Sequence, residues 1–91
     1  MAVIDDGICY WNNDFGGIFG TSKKVSGGWN YTYNQKDINY GGGWHGTQCA
    51  GVIGALTNND SIGIAGIGGG WNPDSLGLQI IGYMVVDGGK Y

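Results

Sequence analysis

Glycine restricts this chain more than any other residue: 21 of its 91 residues are Gly. A Gly loses the most backbone freedom on folding and brings no side chain to bury. The core must therefore come from few apolar side chains, with one Pro and two Cys to stiffen the chain. A domain of this length folding alone on those terms is marginal. The expectation is a piece of a larger domain. Hydrophobic residues still make up 42%, too many for a disordered chain. Gly follows no triplet period, so the chain is not collagen.

Charge narrows the partners. Four Lys, no Arg, seven Asp and no Glu give a net charge of −3. Phosphate contacts need clustered cations, so no nucleic acid is expected as a partner. No apolar run approaches the roughly 20 residues that cross a bilayer, so no membrane is expected either. No basic segment followed by an apolar one opens the chain as a signal peptide would. Cys9 and Cys49 are too few for a disulfide framework and leave the redox compartment open.

Hydrophobic patterning predicts an α/β unit. Residues 2–5 read as a buried strand ending in an acid, broken by Asp6-Gly7. Residues 10–43 are rich in Gly, Asn, Ser and aromatics. Within them, 16–43 read as a surface insertion with a hairpin around Gly27-Gly28 and an isolated basic pair, Lys23-Lys24. Residues 45–56 read as a helix. Cys49, Val52, Ile53 and Leu56 recur as one apolar stripe, and Ala50, Gly51, Gly54 and Ala55 are small enough for close packing on a sheet. Asn58-Asn59-Asp60 is the expected stop. Residues 76–86 read as a second buried strand. Strand, helix, strand in this order predicts a βαβ unit and a parallel sheet. Sites in such sheets form at the carboxyl ends of strands, where Asp5 stands, with His45 opening the helix.

Three chemistries are open from the residues. A carboxylate and an imidazole suit proton transfer to and from a nucleophile. His45 and Cys49, four apart, share a helix face, and with Asp5 and Cys9 they offer four ligands to a metal such as zinc. The aromatics between residues 10 and 44, among them Tyr10, Trp11, Trp29, Tyr31, Tyr33 and Tyr40, suit a non-catalytic module that binds peptide or sugar.

Two strings favour the first. His45-Gly46-Thr47-Gln48-Cys49-Ala50-Gly51 reads H-G-T-x-C-A-G, and Asp5-Asp6-Gly7 stands 40 positions upstream at a strand end. Together they resemble the subtilisin-like serine proteases (subtilases), closest in motif to the kexin- and proteinase-K-like branches and similar bacterial members. The resemblance covers residues 2–15 and 44–86. It implies a partial subtilisin-like three-layer fold, with residues 1–91 the N-terminal part of a peptidase domain. It implies a serine endopeptidase acting on polypeptides, commonly secreted, with Asp5 orienting the base His45. The family's nucleophile lies in a later G-T-S-x-A motif, and none follows His45. Gly20-Thr21-Ser22 precedes His45, is followed by Lys23-Lys24-Val25, and reads as a loop. The chain alone is thus expected to be inactive, needing the remainder of the catalytic domain. Asn12-Asn13-Asp14-Phe15 resembles the family's H-P-D-L element, which implies a structural Ca²⁺ held by Asp14, Asn58 and Asp60. Asp6 reads as a turn or supporting carboxylate, although in the kexin-like branch its counterpart implies contact with basic substrate side chains. Trp44 replaces the Gly usual before the His.

Overall fold

The computed structural model describes residues 1–18, 20, 22–40, 43–59, 63–71 and 75–86. In chain order its regular elements are strand β1 (Ala2–Asp5), a 3₁₀ turn (Asn13–Phe15), strand β2 (Val25–Asn30), helix α1 (His45–Gly54) and strand β3 (Ile80–Met84). The strands form one sheet in the order β1-β3-β2, with both neighbours parallel to β3. The predicted parallel α/β arrangement is therefore present.

Its details differ from the reading of the apolar runs. β1 is an edge strand with alternating burial: Val3 is buried and Ile4 is 66% exposed. β3 is shorter than the 76–86 run. Before it, Gly77 takes a φ of 70° and Leu78 N–H turns away to bond Gly68 O at 3.0 Å, so residues 76–78 join a loop.

The largest correction concerns residues 16–43. In place of a hairpin at Gly27-Gly28, the structure has β2, whose Gly27 and Gly28 stand opposite Ile81 and Gly82. The two glycines are strand residues because the strands come close there. Gly28 has a φ of 139°, and a Cβ on it would collide with the Gly82 carbonyl. A bulge between Val25 and Gly27 adjusts the register. Val25 and Asn30, the ends of β2, are both fully buried. Asn30 is spent on organising the following turn: Nδ2 donates to Asp37 O at 2.9 Å and Oδ1 accepts from Tyr33 N–H at 3.0 Å.

Lys24, read as half of a surface pair, is only 2% exposed. Its Nζ donates to the carbonyls of Leu76, Leu78 and Gly68 at 2.6, 2.7 and 3.0 Å. Burial pushes the ammonium pKa down. Among the described residues this side chain ties the start of β2 to the loop that leads into β3.

Helix α1 lies on the sheet through small residues. Gly46, Ala50, Gly51 and Gly54 are its buried positions, while Val52 is 62% exposed. Of the stripe of Cys49, Val52, Ile53 and Leu56, only Val52 is exposed, while Ile53 packs against the core and Leu56, just past the helix, is buried. Small side chains let the helix backbone approach the sheet, and Gly54 sits against Leu78 and Ile80. The helix carbonyls at its C-terminal end accept from Ile67 N–H (Val52 O, 3.1 Å) and Gly68 N–H (Ile53 O, 2.7 Å). The core gathers Val3, Ile8, Phe15, Val25, Ile38, Ala50 and Ile80, with Tyr10, Ile53 and Leu78 against it. No helix among the described residues is long and apolar enough to cross a membrane.

Candidate active site

The carboxyl end of β1 meets the amino end of α1. Asp5 closes β1, and His45 is the first residue of α1. His45 Nδ1 lies 2.6 Å from Asp5 Oδ2. The other carboxylate oxygen, Oδ1, accepts the backbone N–H of Asp6 at 2.8 Å, which fixes the carboxyl plane. An ionised carboxylate only accepts, so in the neutral ring Nδ1 donates and Nε2 keeps the lone pair. The imidazole is 62% exposed, the carboxylate 15%. The pair thus has a sheltered anchor and an accessible basic nitrogen.

The local sequence explains how the helix start is held there. Trp44, at the cap position, makes no side-chain capping bond. The free N–H of Gly46 is taken by Asp6 Oδ1 at 2.7 Å, from 40 residues away. Thr47 Oγ1 accepts Cys9 N–H at 2.8 Å and ties the first turn to the segment after β1. Gly46 is required by this closeness. A Cβ on it would overlap Gly7 O and approach Asp5 Cβ to 3.0 Å.

Cys49 lies one turn along α1, its Sγ 3.9 Å from His45 Nδ1. Asp5, His45 and Cys49 each offer a ligand atom, all within 4.8 Å of one another. The four-ligand set expected from sequence loses Cys9, which is buried outside that group, its thiol pKa raised by burial and opposed by a hydrogen bond with the Asn12 backbone. Asp6, whose counterpart implied contact with substrate, is 1% exposed and bonded to the helix start.

The second predicted set is only partly in view. Asp14 sits in the 3₁₀ turn, capped by Asn12 Oδ1 at 2.9 Å. Its Oδ2 accepts Ile64 N–H at 3.1 Å, and Asn59 Nδ2 donates to Asn13 O at 2.7 Å. These bonds join the turn to the loop after α1. Asn58 lies in that loop with a left-handed φ of 62°, and Asp60 falls outside the described residues. Sequence reasoning missed Lys24 altogether, because a Lys-Lys pair carries no sign of which member is buried. A cavity of about 320 Å³ runs along α1, walled by Phe15, Trp44, Thr47, Gln48, Gly51 and Ile64 among others.

Thermitase of Thermoactinomyces vulgaris is 42% identical over 66 residues, 72% of this chain and 21% of thermitase. The protease KEX1 of Kluyveromyces lactis is 33% identical over 87 residues, covering 88% of this chain and 10% of that protein. Kexin of Saccharomyces cerevisiae is 32% identical over 82 residues, again 88% of this chain and 9% of kexin. The chain therefore spans about a fifth of the length of thermitase and a tenth or less of the other two. No solved structure gives a significant match. The profile of the Subtilase family matches residues 1–89. With a parallel sheet whose first strand ends in Asp5 and a helix that opens with His45, the chain belongs to the Subtilase family.

Proposed function

We propose that Asp5 and His45 are the orienting carboxylate and general base of an Asp-His-Ser triad in a serine endopeptidase. The nucleophilic Ser comes from sequence other than these 91 residues, as does most of the substrate cleft. The observation that carries this reading is the 2.6 Å contact of Asp5 Oδ2 with His45 Nδ1, which leaves Nε2 free on an exposed ring. A seryl hydroxyl is a weak nucleophile at neutral pH, and an imidazole within hydrogen-bond reach takes its proton as it attacks a carbonyl. The carboxylate on the other nitrogen holds the tautomer and stabilises the imidazolium. His45 then returns the proton to the leaving amine. Substrates are polypeptides, and the protein acts outside the cell or on the secretory route. The chain order Asp, His, Ser is that of subtilisin.

The apolar surface left open supports a need for the remainder of a domain. Ile67 is 94% exposed, and Ile4, Val52 and Trp71 are exposed as well. In the protein that carries this chain, a serine-directed fluorophosphonate should label one residue and abolish peptide hydrolysis. His45→Ala should cost about 10⁶-fold in kcat, and Asp5→Asn roughly 10⁴-fold, the sizes seen for subtilisin's triad. Activity that survives His45→Ala would remove the assignment.

Ca²⁺ at Asp14, Asn58 and Asp60 is part of the same proposal. Carboxylate and amide oxygens suit this cation, and Asp14 already reaches the loop after α1. Chelation should lower the melting temperature, less so in Asp14→Asn. A second reading has one observation in its favour: the Asp5, His45 and Cys49 ligand atoms lie within 4.8 Å. Stoichiometric zinc in purified protein, lost in Cys49→Ser, would favour it. Peptide binding without hydrolysis would favour the non-catalytic module.

A further inference from the structure

We infer that Asp6 is the positioning residue of the Asp5–His45 pair, clamping both sides of His45 to the end of β1. Three groups of this one residue act together. Its N–H donates to Asp5 Oδ1 at 2.8 Å, so Oδ2 is left to face the imidazole. Its carbonyl accepts Gly43 N–H at 3.2 Å, two residues before His45. Its Oδ1 accepts Gly46 N–H at 2.7 Å, one residue after His45. The segment that carries the base is thus gripped on either side by the residue that also sets the carboxylate plane.

The physics makes this grip strong. A carboxylate on a free N–H at a helix start is a charge-assisted bond, favoured further by the positive end of the helix. Asp6 is 1% exposed, so little water competes for it. Trp44, at the cap position, caps nothing with its side chain, and Thr47 ties the same turn to Cys9 rather than to Asp5. Burial also removes Asp6 from any substrate-facing role: a basic substrate side chain would have to reach a carboxylate already enclosed by the Gly46 N–H. The second acid of the D-D-G string orients; it does not select.

This inference rests on the reading of Asp5 and His45 as a proton-moving pair. Its test separates the two by following the imidazole itself. In the intact protein that carries this chain, ¹⁵N-histidine spectra report which ring nitrogen bears the proton, the His45 signals being those lost in His45→Ala. Wild type should show the Nδ1–H tautomer above the imidazole titration. Asp6→Ala should mix the two tautomers and lower kcat by about 10- to 100-fold, with KM within about threefold, the usual size for loss of an orienting partner. Asp6→Asn keeps an acceptor of the same shape and should restore most of both. An Asp6→Ala protein with wild-type tautomer and kcat overturns the inference, as does an Asp6→Asn protein as impaired as Asp6→Ala. Should Asp6→Ala fail to fold, Gly46 amide exchange decides: protection in wild type and Asp6→Asn supports the clamp, and exchange at the rate of an open amide in wild type overturns it. An inactive wild type whose Nδ1–H tautomer is scrambled by Asp6→Ala would keep this inference and remove the protease reading.

Discussion

Two buried charges hold this glycine-rich chain together, and they do so with opposite signs. At the β1–α1 junction the carboxylate of Asp6 collects a backbone N–H from the start of the helix. On the β2 side, the ammonium of Lys24 collects three backbone carbonyls from the loop before β3. Each is nearly water-free, at 1% and 2% exposure. The carboxylate reaches 40 residues along the sequence to the start of a helix and sits beside the Asp5–His45 pair. The ammonium spans more than 40 residues of sequence and touches no functional group. The comparison shows how a chain with few large side chains fixes loops: a buried ion satisfies backbone groups that a hydrophobic residue would leave bare.

Lys24→Met tests the second region and should have the larger effect on stability. Gly68 O retains the Leu78 N–H, but Leu76 O and Leu78 O lose the partner described for them. Each orphaned carbonyl costs about 1–3 kcal/mol, and relief of the ammonium's desolvation offsets part. A net loss of about 2–4 kcal/mol in urea unfolding is expected, with the His45 tautomer unchanged. A stability equal to wild type would show that the three carbonyls find water. Gly46→Ala tests the first region. Its Cβ meets backbone, at Gly7 O, so something must move, at a cost of about 1–3 kcal/mol. Here the His45 tautomer should change as well, which separates the two regions. Gly54→Ala, at the other end of the same helix, meets side-chain ends, those of Leu78, Ile80 and Lys24 at 3.1, 3.3 and 3.4 Å. The gain of about 1 kcal/mol in helix propensity over Gly should roughly cancel that crowding, leaving a change within about 1 kcal/mol of zero.

The same contrast explains what the sequence discloses. The junction was legible, because Asp5 at a strand end and His45 at a helix start are local patterns that an apolar run and a motif both mark. The βαβ order and the small face of α1 followed from period and residue size. β2 was not legible: Val-Ser-Gly-Gly-Trp-Asn has two glycines where strands favour branched or aromatic side chains, and only the closeness of Gly82 explains them. Nor was the exposure of Val52 legible, because it satisfies the same helical spacing as Ile53, which packs against the core. Long-range partners left no local mark. Lys24 looks like a surface residue, and Asp6 like a turn or supporting carboxylate, until Gly68, Leu76 and Leu78 on one side and Gly43 and Gly46 on the other are brought beside them.

The smallest effect expected is a pH slope, and its sign distinguishes the ammonium's charge from its bonds. Burial lowers the Lys24 pKa from its ordinary 10.5. Between that lowered value and 10.5 the unfolded chain holds more protons at this site than the folded one. Stability contributed by Lys24 therefore rises with pH through this window, by no more than about 1.4 kcal/mol per pH unit for one proton. Cys9 and Tyr10 act the other way. Burial raises both, and the Asp37 carboxylate bonded to the Tyr10 hydroxyl raises Tyr10 further, so the folded state holds the extra protons and stability falls as pH rises through their windows. Wild type alone reports only the sum. Unfolding of wild type and Lys24→Met compared from pH 7 upward isolates Lys24, since Cys9 and Tyr10 are common to both. The stability advantage of wild type should widen with pH. A constant difference would mean that the three carbonyls compensate the ammonium for its lost water, and that the Lys24 region is held by its hydrogen bonds at no electrostatic cost.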